Sequence, residues 1–105
     1  MLESYYESHL RDGVKALGHG SRCLKFVSPG FSGVPDRIIL LRGGHVLFAE
    51  TKRPKDKERK RQEWVQRILR DLGFEVFSTV NSMERVEAVI QRCREVLSNE
   101  GLHTP

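Results

Sequence analysis

The sequence predicts an α/β fold: a small mixed sheet flanked by helices, with a further helix at the C-terminus. Three observations predict it. Apolar residues recur at helical spacing near the start, in the middle and near the end of the chain. Short apolar or alternating runs bounded by glycine and proline lie between those segments. The two kinds follow one another in the order αβββαβα, the pattern of a layered α/β domain. With 105 residues, 38% hydrophobic and 30% charged, the chain is expected to form one domain over 1–105 around a single modest core.

Each element has its own signal. Over residues 2–17, Leu2, Tyr6, Leu10, Val14 and Leu17 form one helical stripe, ended by Gly18, His19 and Gly20. RCLKFV at 22–27 reads as a strand, and SPGFSGVP at 28–35 as a loop. Residues 36–41 and 46–51 are two strands about the turn signal RGGH. Val65, Ile68, Leu69 and Leu72 mark a second helix closed by Gly73, and residues 74–80 follow as a strand. A last helix over 82–97 carries Val86, Val89, Ile90, Cys93 and Leu97 on one stripe, which serves either the core or a dimer contact. The tail at 97–105 is expected to fray.

Composition excludes several classes. No apolar run approaches the roughly 20 residues of a membrane span. The N-terminus MLESYYESHLRD lacks the basic-then-apolar order of an export signal, so a cytoplasmic location, in a bacterial cell or an infected host cell, is expected. Cys23 and Cys93 fall within apolar patterns and read as core residues rather than as a disulfide or metal site. His9, His19, His45 and His103 lack metal-ligand spacing. No P-loop, Ser/His/Asp set or dinucleotide fingerprint occurs, and no organic cofactor is expected. The net charge of +4 is unevenly spread: KRPKDKERKR at 52–61 holds seven of the 18 basic residues and two of the 14 acidic ones, leaving 11 basic against 12 acidic elsewhere. That is a local footprint for a polyanion, with a solvated loop and helix start as the plainer alternative.

Beside that run stands GVPDRIILLRGGHVLFAETK, residues 33–52. Asp36 heads one apolar strand. Glu50 and Lys52, at the end of the next, are separated by one residue and so share a face. A hard cation such as Mg²⁺ is held by one or two carboxylates together with phosphate and water. Such an ion can activate water and stabilise the charges of phosphodiester hydrolysis, and a neighbouring lysine can serve the attacking water. Taken singly, G-x-P-D is a turn sequence and E-T-K a surface ion pair; together, beside the basic run, they read as a nuclease site. Strand parity adds a condition. A two-residue hairpin at Gly43-Gly44 would pair Asp36 with Thr51 and turn Asp36 away from Glu50 and Lys52. The chemistry requires a bulge, an Asp36 twisted out of the strand or, preferably, a three-residue loop with a glycine in the left-handed region.

GVPDRIIL followed by FAETK resembles the PD-(D/E)XK nuclease superfamily. Within it, LKFVSPGFSGVPDRI, FAETKRP and a following glutamine resemble the VRR-NUC family, in particular its short stand-alone viral and bacterial forms. The resemblance spans the chain from the first helix to the strand at 74–80. It implies a restriction-endonuclease-like αβββαβ core, Mg²⁺ or Mn²⁺ as cofactor, and Asp36, Glu50 and the Thr51 backbone carbonyl as metal ligands. Lys52 would serve the water, and Gln62 falls where the family carries a glutamine near the site. Thr51 departs from the larger aliphatic common at that position, where only the backbone is required. The family also places a glutamate on the first helix. At about 100° per residue, Glu3 lies about 40° from the centre of the apolar stripe and Glu7 about 80°. Glu3 is therefore preferred, reaching the metal directly or through water, with Glu7 in reserve.

Lys25, Phe31, Arg53, Lys55, Lys57, Arg59, Lys60 and Arg61 are the candidate nucleic-acid contacts. Lys25 sits where the family often has a lysine and is equally placed to be a surface side chain. Phe31, in the loop before Asp36, can wedge into or touch substrate; Trp64 borders the apolar helix stripe and reads as packing. Stand-alone members are associated with branched DNA, so the resemblance implies a homodimeric resolvase of four-way (Holliday) junctions, its two-fold axis matching that of the DNA. Flap or nick cleavage, an RNA-directed nuclease of the same fold, and a non-catalytic nucleic-acid-binding module are the alternatives.

Overall fold

The computed structural model describes residues 3–105, with the side chain of Glu3 outside the description. Its order is α1 (Glu3–Lys15), β1 (Arg22–Lys25), β2 (Arg37–Leu41), β3 (His45–Thr51), α2 (Lys60–Asp71), β4 (Glu75–Val80) and α3 (Met83–Asn99), as the sequence predicts. The strands form one mixed sheet in the order β1-β2-β3-β4. β1–β2 and β2–β3 are antiparallel; β3–β4 is parallel, and α2 supplies the crossover that a parallel pair needs.

Alternation along the strands gives the sheet two unlike faces. Cys23, Ile39, Leu47 and Ala49 lie on one side, where they join Leu10 and Val14 of α1 and Val86 and Ile90 of α3 in the core. The two helices approach closely at Gly13, where a Cβ would meet Ile90 Cδ1 at 2.3 Å. Cys93 is fully buried, so the stripe on α3 is core. Burial pushes the Cys23 and Cys93 thiols up to about 11 and about 12, which keeps both protonated at neutral pH. On the opposite face, Phe48 is buried against Phe26 and Phe74, whereas Leu24 and Leu40 remain 46% and 37% exposed.

Two irregularities position the site. Leu41 pairs with His45, leaving residues 42–44 as the three-residue loop that the chemistry requires, with Gly43 and Gly44 at φ 94° and 78°. Arg37 then faces Ala49, and the register carries Asp36 to the level of Glu50. In β4, Phe77 faces Ala49 but Val80 faces Thr51, so one extra residue bulges at 78–79. The bulge returns Val80 to the core side with Phe77, and Thr79 pays with φ 53°, an unusual value for a β-branched residue. The tail departs from the expected fraying. α3 continues to Asn99, the Leu102 N–H donates to the Leu97 carbonyl at 3.0 Å, and Leu102 packs on the core. The His19 ring N–H donates to the His103 carbonyl, tying the tail to the turn after α1.

Candidate active site

The rim of the sheet where β3 ends holds two sets of ionisable groups. On the α2 side, Glu50 and Lys52 leave β3 together, as their spacing predicts, and both are buried, at 5% and 8% exposure. The Lys52 Nζ donates to Gln62 Oε1 at 2.9 Å and lies 4.0 Å from Glu50 Oε1. Gln62 Oε1 also accepts the Arg59 N–H at 2.9 Å, so one amide oxygen caps the start of α2 and fixes the lysine. A second carboxylate, Glu58, places Oε2 4.0 Å from the same ammonium. Glu58 Oε1 accepts from the Thr79 N–H at 2.8 Å and the Thr79 hydroxyl at 3.1 Å, the groups that the β4 bulge turns outward.

Sequence reasoning missed Glu58. Its neighbours Arg53, Lys55, Lys57, Arg59, Lys60 and Arg61 are all exposed, while the Glu58 side chain is 8% exposed. An acid embedded in a basic run is the signal that was available; the bulge that receives it is not visible in the sequence.

On the α1 side, Asp36 stands one residue before β2, and its carbonyl still accepts the Phe26 N–H at 2.8 Å. Its Oδ1 accepts the Thr51 N–H at 3.0 Å and its Oδ2 accepts the Thr51 hydroxyl. The Thr51 side chain therefore has a role, contrary to the expectation that only its backbone matters. Glu7 of α1, 13% exposed, reaches the same carboxyl group by a hydrogen bond. Its Oε1 lies 3.7 Å from Arg37 Nε and 3.9 Å from Lys25 Nζ, with no hydrogen-bond partner. Burial first, and the Glu7 hydrogen bond second, push Asp36 up to about 7 against the Thr51 donors that pull it down. The side chain of Glu3, the residue that helix phase prefers, lies outside the described residues; Glu7, the reserve candidate, is the one the structure shows beside Asp36.

Among the described residues, no three Asp, Glu, His or Cys side chains gather into a ready-made cation cage. The donor set nevertheless suits Mg²⁺ or Mn²⁺. It offers hard carboxylate oxygens, one of them a buried Glu7 oxygen without a hydrogen bond, and such ions are commonly completed by substrate phosphate and water.

The predicted nucleic-acid contacts form the surface around this rim. The cations of the 53–59 arm and the first turn of α2 face solvent, and Lys25 is 65% exposed at its side chain. Phe31, Arg61 and Trp64 cluster at the start of α2.

No family model matches the chain. A solved structure described as a VRR-NUC domain shares the fold with a TM-score of 0.74 and 27% identity, over 85% of this chain and 94% of that one. The chain has the fold of the VRR-NUC domains. Part of the chain is also similar to a curated protein of Acyrthosiphon pisum secondary endosymbiont phage 1 that bears the provisional name nuclease p44. The two are 44% identical over 55 residues, 52% of this chain. The match spans 57% of that relative's length, so it compares the two proteins only in part. No helix among the described residues is long and apolar enough to cross a membrane.

Proposed function

We propose that this chain is a Mg²⁺- or Mn²⁺-dependent endonuclease that hydrolyses phosphodiester bonds in branched DNA, four-way junctions foremost, in the cytoplasm of a bacterial cell or an infected host cell. The observation that carries the reading is the convergence, at one sheet rim, of buried carboxylates and a fixed lysine beside a run of exposed cations. Asp36, Glu50, the Thr51 carbonyl and Glu7, directly or through water, are the groups to hold the ion. When bound, a divalent cation supplies charge stabilisation at the scissile phosphoryl group.

The chain's own side chains do the rest. Gln62 and Glu58 hold the Lys52 ammonium where it can orient the attacking water and offset the charge that develops on phosphorus-bound oxygens. Arg53, Lys55, Lys57, Arg59, Lys60 and Arg61 grip backbone phosphates, which positions the strand without reading its sequence. Lys25 extends that contact towards β1, and Phe31 offers an exposed ring to an unpaired base. Exposed Leu24 and Leu40 on the open sheet face favour pairing with a second copy, and two sites related by a two-fold axis suit a two-fold-symmetric junction.

The test is incubation of the protein with a labelled four-way junction and with linear duplex, with and without Mg²⁺ or Mn²⁺. Cation-dependent cleavage of the junction, with linear duplex largely spared, is expected. Binding without any cation-dependent cleavage would instead identify a non-catalytic binding module, and equal cleavage of both DNAs would remove the junction specificity alone.

A further inference from the structure

Phe31 and Trp64 hold aromatic rings at the surface, 39% and 43% exposed. Phe31 comes from the loop between β1 and β2 and Trp64 from the second turn of α2. Their ring centroids are 6.0 Å apart with planes inclined by 33°, too splayed for each to bury the other. The Arg61 guanidinium lies 4.7 Å from each centroid, and its Nε donates to the Ser32 carbonyl at 3.0 Å. The cation is thus anchored, and it fixes the loop on the helix. Gly33 permits the approach. At φ 92° a Cβ there would come within 2.8 Å of Arg61 Cγ and 3.2 Å of the Arg61 carbonyl.

The cluster also touches the site through the chain on both sides. Arg61 adjoins Gln62, whose oxygen holds Lys52, and the loop that carries Phe31 runs directly into Asp36. Anchoring a loop requires only aliphatic side chains. Two exposed rings bridged by a guanidinium, with Arg59 and Lys60 exposed alongside, match a ligand that is both aromatic and attached to anions. An unpaired nucleobase on a phosphate backbone is that ligand. It stacks on aromatic and guanidinium planes whatever its sequence, while the flanking cations take the backbone. In a continuous duplex the base faces are covered by their neighbours, so the platform has nothing to take.

Resting on the nuclease reading, we infer that Phe31, Arg61 and Trp64 form a stacking platform for a base exposed at a branch point or in a single strand, and that DNA with such a base beside a duplex is the substrate class. Trp64 is the one tryptophan of the chain, so its own fluorescence reports the platform without any substitution. In a chelating buffer, the full chain is mixed with branched DNA carrying 2-aminopurine unpaired at the branch and with linear duplex carrying it paired. Quenching of Trp64 and a change in 2-aminopurine emission are expected with the branched DNA only. Trp64→Leu and Phe31→Leu are each expected to weaken binding to the branched DNA about tenfold, the scale of one lost base stack, with duplex affinity unchanged. Trp64→Phe, which keeps a ring, should recover most of the loss. Equal quenching by both DNAs, quenching by neither, or equal loss of affinity for both in folded variants would overturn the platform. No cleavage is read, so failure of the platform and failure of the nuclease reading are separate results.

Discussion

The two sides of the rim balance their carboxylates in different ways. On the α2 side, Lys52 supplies an internal cation to Glu50 and Glu58, and Gln62 completes its contacts. On the α1 side, Asp36 and Glu7 meet each other across a hydrogen bond, and the nearest cations, Arg37 and Lys25, stand 3.7 and 3.9 Å from Glu7. The α2 side is thus organised by its own contacts, whereas on the α1 side burial and Glu7 push the Asp36 carboxyl up. On the proposed reading, Lys52 on the α2 side would orient water, and the α1 carboxylates would gain most from an external cation shared with Glu50.

The largest expected effects come from breaking either side. Lys52→Ala, Asp36→Ala and Glu50→Ala should each lower the cleavage rate by roughly a thousandfold, the scale of losing a group that acts on charge in the transition state. A loss of less than tenfold for Lys52→Ala would dissolve the distinction between the sides. Next, Glu7→Gln should cost about a hundredfold, with Glu3→Gln within a few-fold of wild type. The reverse ranking in the same kinetic assay would restore the residue preferred from helix phase.

Glu58→Ala sharpens the picture of the α2 side. About a tenfold fall in rate is expected, together with faster hydrogen exchange at the Thr79 amide, because that N–H loses its acceptor. A fall in rate with unchanged Thr79 exchange would place the effect of Glu58 elsewhere.

The smallest effect is on stability and concerns the α1 side. The Asp36 carboxyl is raised from its ordinary 3.8 to about 7, so the fold favours its protonated form. That stabilisation is fully present below the ordinary value and is lost as pH climbs through about 7. In chelator, thermal unfolding of wild type should therefore weaken between about pH 4 and pH 8 more than that of Asp36→Asn. Parallel profiles for the two proteins would remove the shared-proton description.

The sequence made some of this legible and hid the rest for identifiable reasons. Period-two alternation placed Glu50 with Lys52, and parity called for a bulge, a twisted Asp36 or, preferably, a three-residue loop, of which the register shows the loop at 42–44. Those features depend on neighbours along one strand or across one hairpin. The approach of Glu7 to Asp36 depends on where α1 crosses the sheet, which apolar phase alone does not give. The Thr51 side chain matters because the Asp36 carboxyl reaches across to it at the strand end, and Glu58 because β4 bulges at Thr79. Each is a contact between distant segments created by an irregularity that no local pattern announces.

The most direct measurement follows binding and cleavage of a labelled four-way junction, with and without Mg²⁺, by wild type and Lys52→Ala side by side. Both proteins should bind; only wild type should cut, and only with the cation. Cation-independent cutting by wild type, or cutting by Lys52→Ala at the wild-type rate, would contradict a rim in which a held lysine and cation-binding carboxylates perform the hydrolysis together.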